Sequence, residues 1–161
     1  MTTDIYTFLD AHNIGYTKHE HEAVFTVEEA NKLYQEIPGA HTKNLFFRNH
    51  DKSQYYLFII ASHKRADLKK VAIELEEKKF HFANPDELIE YLRLTPGSVS
   101  ALGLVNDPEH KVRVIIDEEL WGSEFVNAHP NTNTATLTFT RSDFQRFFEV
   151  VGHAPQQIVC E

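Results

Sequence analysis

The feature that most constrains this chain is Tyr55-Tyr56-Leu57-Phe58-Ile59-Ile60-Ala61, an apolar run without a charged side chain. Successive side chains of a strand point to opposite faces, so a strand that is apolar at every position must be covered on both. The run is far too short to cross a bilayer. It therefore predicts a central strand of a sheet with helices packed on its faces.

The flanking segments supply the rest of such a sheet. Lys43 to Asn49 reads as a strand, His50 to Ser53 as a turn, and Gln54 to Ala61 as its antiparallel partner. Further strands are predicted over Tyr16–Glu22, Lys79–Phe82, Val112–Asp117, Glu124–His129 and Thr134–Thr140, with a turn at Glu118–Gly122. Helices are predicted over residues 3–12 with Thr3 as cap, and over 27–35 behind the Thr26/Glu29 capping box. Others start at Asp67, at Asn84-Pro85-Asp86-Glu87, and at Thr140 or Ser142. The last carries a stripe of Phe144, Phe147, Phe148 and Val151, and Gly152 ends it. Helices interleaved with hairpin-like strand pairs predict an α/β fold of the α+β type. Its sheet is mixed rather than parallel and doubly wound. A length of 161 residues predicts one domain over 1–161.

Charge and motifs exclude several function classes. The formal net charge is −8, which disfavours non-specific binding to DNA or other nucleic acid. The span Lys43–Lys79 nevertheless holds nine Lys/Arg against five Asp/Glu, a local +4, which leaves −12 elsewhere. Lys64, Arg65, Lys69 and Lys70 are its densest cluster, a solvated helix face unless an RNA backbone meets it. The single cysteine, Cys160, permits no disulfide within the chain, which fits a reducing cytoplasm. The N-terminus has no apolar signal-like core and no membrane segment is predicted. There is no Gly-x-Ser-x-Gly elbow, Walker loop or Gly-x-Gly-x-x-Gly, so neither a serine nucleophile nor a nucleotide cofactor is indicated. His19 and His21 share a strand face, yet no third ligand stands at metal-binding spacing, so no metal is expected.

Two stretches carry chemistry. Gly39-Ala40-His41-Thr42-Lys43-Asn44 leads into the apolar Leu45-Phe46-Phe47, which places the Lys43 ammonium at the mouth of a sheet. Leu94 to Asn106, with Gly97 and Gly103, lacks periodicity and reads as a loop able to present backbone N–H groups to a carbonyl or oxyanion.

Four segments, "HEAVFTVEEA", "GAHTKNLFFRN", "LTPGSVSALGLVND" and "NAHPNTNTATLTF", occur in one order and together resemble the YbaK/ProX family, the stand-alone prolyl-tRNA editing domain. The resemblance runs from about Thr3 to His153 and favours the ProX-type alanyl-tRNA(Pro) deacylases. The Gly97-Ser98 pair, where cysteinyl-type relatives usually carry Gly-Gly, points the same way. It implies a mixed, partly barrel-like β-sheet flanked by helices. It also implies a cofactor-free hydrolase of mischarged alanyl-tRNA(Pro), with the acceptor end of tRNA(Pro) and prolyl-tRNA synthetase as partners. By the same resemblance Lys43 is catalytic, and Thr26, Val27, Asn44, Gly97, Ser98 and His129 bind substrate. Val24, Phe25 and Val27 would wall a pocket that admits a methyl group and excludes proline's ring. Two alternatives stay open: a deacylase for cysteinyl- or seryl-tRNA, and a non-catalytic module that binds tRNA or synthetase.

Overall fold

The computed structural model describes residues 4–24 and 26–160, the Val27 side chain excepted. Its strands are β1 (Thr17–Glu20), β2 (Ala40–Asn49), β3 (Tyr55–Ala61), β4 (Phe80–Phe82), β5 (Val112–Asp117), β6 (Phe125–Ala128), β7 (Ala135–Thr140) and β8 (Gln156–Ile158). They form one mixed sheet in the order β1-β7-β6-β2-β3-β5-β8, with β4 on β2. The helices are α1 (Ile5–Ala11), α2 (Val27–Glu36), α3 (Leu68–Glu74), α4 (Pro85–Leu92), the single turn α5 (Glu118–Trp121) and α6 (Arg141–Val151).

The apolar run is the centre of this sheet. β3 pairs antiparallel with β2 and parallel with β5, and all seven of its residues are buried. Tyr55, Leu57, Ile59 and Ala61 face the larger core, built with Leu9 of α1, Leu92 of α4 and Phe144, Phe147 and Phe148 of α6. Tyr56, Phe58 and Ile60 face a smaller core closed by Val71 and Ala72 of α3. A strand between two dry layers has no position for a polar side chain, which is why its sequence does not alternate.

The mixed sheet and its flanking helices agree with expectation. The sheet is not closed into a barrel: β1 and β8 stand at opposite ends of the pairing path. Other differences are local. Asp4 caps α1 through the Tyr6 N–H, while Thr3 lies outside the described residues. The turn at Glu118 is one turn of helix capped by Asp117. Thr140, not Ser142, caps α6. Leu94–Asn106 contains two 3₁₀ segments, Pro96–Ser98 and Ala101–Asn106, and Ala101, Leu102 and Leu104 are core residues. The sequence reading did not anticipate β8, nor the parallel pairing of β3 with β5.

β2 carries Lys43 and Asn44. Gly39 enters it at φ +106°, and a Cβ there would stand 3.0 Å from that of Phe125, so only glycine fits without strain. β2 then holds β3 along its length but changes partner on its other edge. Ala40 and His41 pair with β6, whereas Phe47 to Asn49 pair with β4. The pattern from the His41 carbonyl (bonded to Ser62) to the Asn49 N–H (bonded to Gln54) directs odd-numbered backbone groups of β2 to β3. Asn44 therefore turns its N–H and C=O into the interval between β6 and β4, where it has no ladder partner.

Candidate active site

The pleat decides which side chains share a face. Ala40 and Phe46 of β2 pack into the larger core, so His41, Lys43, Leu45 and Phe47 point to the opposite face. On β6, Val126 and Ala128 pack into the same larger core, so Asn127 and the following His129 also point away from it. β2 and β6 run parallel with His41 beside Asn127. Two residues further along each strand come Lys43 and His129, on the same face. The two residues singled out from distant stretches thus lie on one face of the sheet, past the last β2–β6 rung at His41 and Asn127.

Lys43 is half-buried, and its ammonium makes no hydrogen bond or ion pair with another described residue. It stands at the end of a groove of about 930 Å³, floored by Leu45, Phe58 and Ile158 and rimmed by α3. On its other side lie histidines. The His129 ring is held by the Ala135 carbonyl at 3.2 Å from Nδ1. A carbonyl only accepts, so Nδ1 carries the proton and Nε2 is left as an acceptor. Burial pushes the His129 imidazole below the ordinary histidine value; the Ala135 bond opposes this, and the nearby charges of His21 and His41 add to it. His41 donates from Nε2 to the Ile37 carbonyl at 2.8 Å and stacks on Tyr34 of α2 at 4.2 Å. Its pKa is also lowered, first by burial, against opposing backbone hydrogen bonds. Both ring nitrogens of His21 are engaged, by the Glu22 carbonyl and the Thr136 hydroxyl. The expected strand over Tyr16–Glu22 is shorter than predicted, and His21 lies just beyond β1.

The loops around His129 are sewn to one another. The buried Ser100 hydroxyl donates to the His129 carbonyl at 2.6 Å and accepts from the Leu102 N–H at 3.1 Å. Asn133 clamps Val24 at both ends: its amide donates to the Val24 carbonyl at 2.7 Å, and its carbonyl accepts the Val24 N–H at 3.4 Å. Val24 is thereby fixed just ahead of Thr26, whose hydroxyl caps α2 through the Glu29 N–H at 3.1 Å. Val27 opens that helix. Phe25 lies outside the described residues.

Gly97 and Ser98 form the first 3₁₀ turn, closed by the Ser98 N–H on the Thr95 carbonyl at 2.9 Å. Gly97 is exposed, and a Cβ there would meet nothing within 4 Å, so its missing side chain leaves open space. This turn connects to His129 through Ser100. Asn44 is the residue the fold sets apart. Its side chain lies on the face opposite Lys43, and its Oδ1 is buried without a hydrogen-bond partner. Sequence reasoning missed Ser100 and Asn133, which position the others. Their signal, a serine or asparagine whose partner lies about 29 or 109 residues away, is invisible in a linear reading.

Comparison with known proteins meets this geometry. The family described as aminoacyl-tRNA editing domain matches residues 21–147. The prolyl-tRNA editing protein ProX of Acetoanaerobium sticklandii is 37% identical over 145 residues, covering 90% of this chain and 88% of its own. The prolyl-tRNA synthetase associated domain-containing protein 1 of Danio rerio is 35% identical over 158 residues, 96% of this chain and 85% of that one. A solved structure of a candidate trans-editing enzyme for prolyl tRNA synthetase superposes with a TM-score of 0.70 at 21% identity, covering 100% of this chain and 98% of that one, and so shares the fold. The family match spans every element that carries Lys43, His129 and the loops around them, and the chain belongs to the aminoacyl-tRNA editing domain family.

Proposed function

We propose that this protein hydrolyses alanyl-tRNA(Pro) in trans, releasing alanine and a tRNA with its terminal hydroxyl restored. The observation that carries the reading is that Lys43 stands on the face of β2 turned away from the larger core, without a partner among the described residues, within a chain 37% identical to a prolyl-tRNA editing protein. An aminoacyl ester is already activated, so positioned water and charge stabilisation suffice. Water attacks the ester carbonyl, the bond to the ribose oxygen breaks, and that oxygen takes up a proton.

The Lys43 ammonium, without a partner among the described residues, stabilises the negative charge developing on the carbonyl oxygen. His129, neutral and with Nε2 as acceptor, receives a hydrogen bond from the substrate's α-ammonium or its ribose hydroxyl. The Gly97 N–H, placed in the first 3₁₀ turn where it has no acceptor, is available to the substrate beside Ser98. Thr26 caps α2 at the Val27 end, and the Asn44 carboxamide oxygen, without a partner among the described residues, lies on the face of β2 opposite Lys43. Selectivity is steric: a site fitted to a methyl side chain rejects the pyrrolidine ring by clash. The natural setting of this reaction is the cytoplasm, with prolyl-tRNA synthetase as the source of the mischarged tRNA(Pro).

Single-turnover deacylation of alanyl-, prolyl- and cysteinyl-tRNA(Pro) tests the reading. Alanine is expected to be lost and proline retained. Lys43→Ala is expected to lose at least 100-fold in rate with an unchanged circular dichroism spectrum. Loss of cysteine alone would move the protein to the cysteinyl branch. No loss of any ester would leave a binding module.

A further inference from the structure

Two rungs join β2 to β6, Ala40 beside Val126 and His41 beside Asn127. Lys43 lies past both. On one edge of β2 its backbone is held by the rung with Ile60 of β3. The other edge depends on the tie to β6, and one side chain reinforces that tie. Asn127 is only 2% exposed, yet it is polar. Its Nδ2 donates to the Pro38 carbonyl at 3.1 Å and to the Ala40 carbonyl at 3.2 Å. Its Oδ1 accepts from the Thr138 hydroxyl of β7 at 2.5 Å. Its backbone carbonyl accepts from the Thr42 hydroxyl at 2.9 Å.

The Pro38 and Ala40 carbonyls only accept, so the amide turns its NH₂ to them and its oxygen to Thr138. A carboxamide donates twice, accepts, and stays neutral while buried; a carboxylate of the same shape cannot donate at all. The tethered residues Pro38, Ala40 and Thr42 lead directly into Lys43. They bracket Gly39, where a Cβ would come within 3.1 Å of Asn127 Nδ2, so the amide packs against the bend at which β2 begins. Asn127 thus grips the approach to Lys43 from the strand that leads on to His129.

We propose that Asn127 is a positioning residue for the hydrolysis: it ties the entry of β2 to β6 and so sets where the Lys43 ammonium stands. This rests on the proposed deacylase reading, in which Lys43 touches the substrate and Asn127 acts only through it. Thr138 is the outer member of the same device, since its hydroxyl holds the amide oxygen.

Two readouts test it, one of them independent of hydrolysis. Asn127→Asp keeps the shape and removes both donors; Thr138→Val removes the hydroxyl that holds the amide, and serves where Asn127→Asp does not fold. Competitive acetylation with acetic anhydride, read by mass spectrometry, gives the reactivity of Lys43 relative to the exposed Lys52. That ratio is expected to rise as the half-buried Lys43 loosens. The single-turnover rate on alanyl-tRNA(Pro) is expected to fall by about tenfold in Asn127→Asp and by about threefold in Thr138→Val, with the enzyme concentration for half-maximal rate unchanged. On a Lys43→Ala background the same substitutions should cost no more than about twofold, because the residue they act through is gone. Equal losses with and without Lys43 would make Asn127 merely structural and overturn the proposal. So would a folded variant in which the rate falls while Lys43 reactivity does not change, or the reverse. A wild-type protein that hydrolyses no ester, with Lys43 reactivity raised in the variants, would strike the deacylase reading and leave Asn127 as the residue that places Lys43.

Discussion

Ser100 has no exposed surface and ties the Leu94–Asn106 segment to the strand end that carries His129. Ser100→Ala removes one atom and leaves two groups without partners. The Leu102 N–H is buried and loses its acceptor; the His129 carbonyl is part-buried and loses its donor. An unsatisfied buried group costs about 1–3 kcal/mol. Taking about 2 for the N–H and about 1 for the carbonyl predicts a loss of about 3 kcal/mol. In a chain of this length that lowers the melting temperature by roughly 6–12 °C. Urea unfolding at pH 7.5 measures it, with the midpoint falling at constant m-value because the exposed surface is unchanged. The same variant frees the His129 end of β6 from the loop, so its single-turnover rate is expected to fall by about tenfold, as small displacements of positioning groups do. A loss under about 0.5 kcal/mol, the range of ordinary surface substitutions, would show that these bonds do not hold the loop.

Neighbouring lysines should separate sharply. Lys64→Ala leaves the fully buried Asp117 carboxylate without its cation and is expected to cost about 3–5 kcal/mol, whereas Lys69→Ala stays within about 0.5 kcal/mol by urea titration. Stability should also follow the histidines. Burial holds His129 and His41 below the unfolded value of 6.5, so the unfolded chain binds more protons as pH falls through that region. Their contribution is fully present above about pH 6.5 and is lost as pH falls towards their folded values; unfolding measured at pH 7.5, 6.5 and 5.5 should show the decline, and His129→Gln should shrink it. Gly39→Ala must hold φ +106° and bring a Cβ to 3.0 Å from that of Phe125, so a loss of about 1–3 kcal/mol is expected in the same assay.

What the sequence made legible was local or doubly constrained. β3 is written in its composition because two dry faces leave no alternation. α2 and α4 announce themselves through their N-caps, Thr26 accepting the Glu29 N–H and Asn84 forming a reciprocal capping box with Glu87, partners three residues apart. Lys43 and His129 could be named from resemblance, but their sharing of a sheet face depends on the parallel pairing of β2 with β6. That pairing joins residues about 85 apart, as the Thr42 hydroxyl on the Asn127 carbonyl shows. Leu94–Asn106 looked irregular because 3₁₀ turns have neither the period of a helix nor that of a strand. β8 was missed because three residues at the edge of a sheet carry too short a pattern to read.

The placement of Lys43 on β2 is a matter of phase. Side chains alternate strictly along Ala40–Asn49, so inserting or deleting one residue ahead of Lys43 within the strand would carry Asn44 or Thr42 to the face of His129 and turn Lys43 into the larger core. Phe46 and Phe47, each buried in a different core, resist the slip from the other end of the strand. Length variation should therefore be tolerated at the His50–Ser53 turn and be lethal to activity between Gly39 and Phe47, even where single substitutions there are mild.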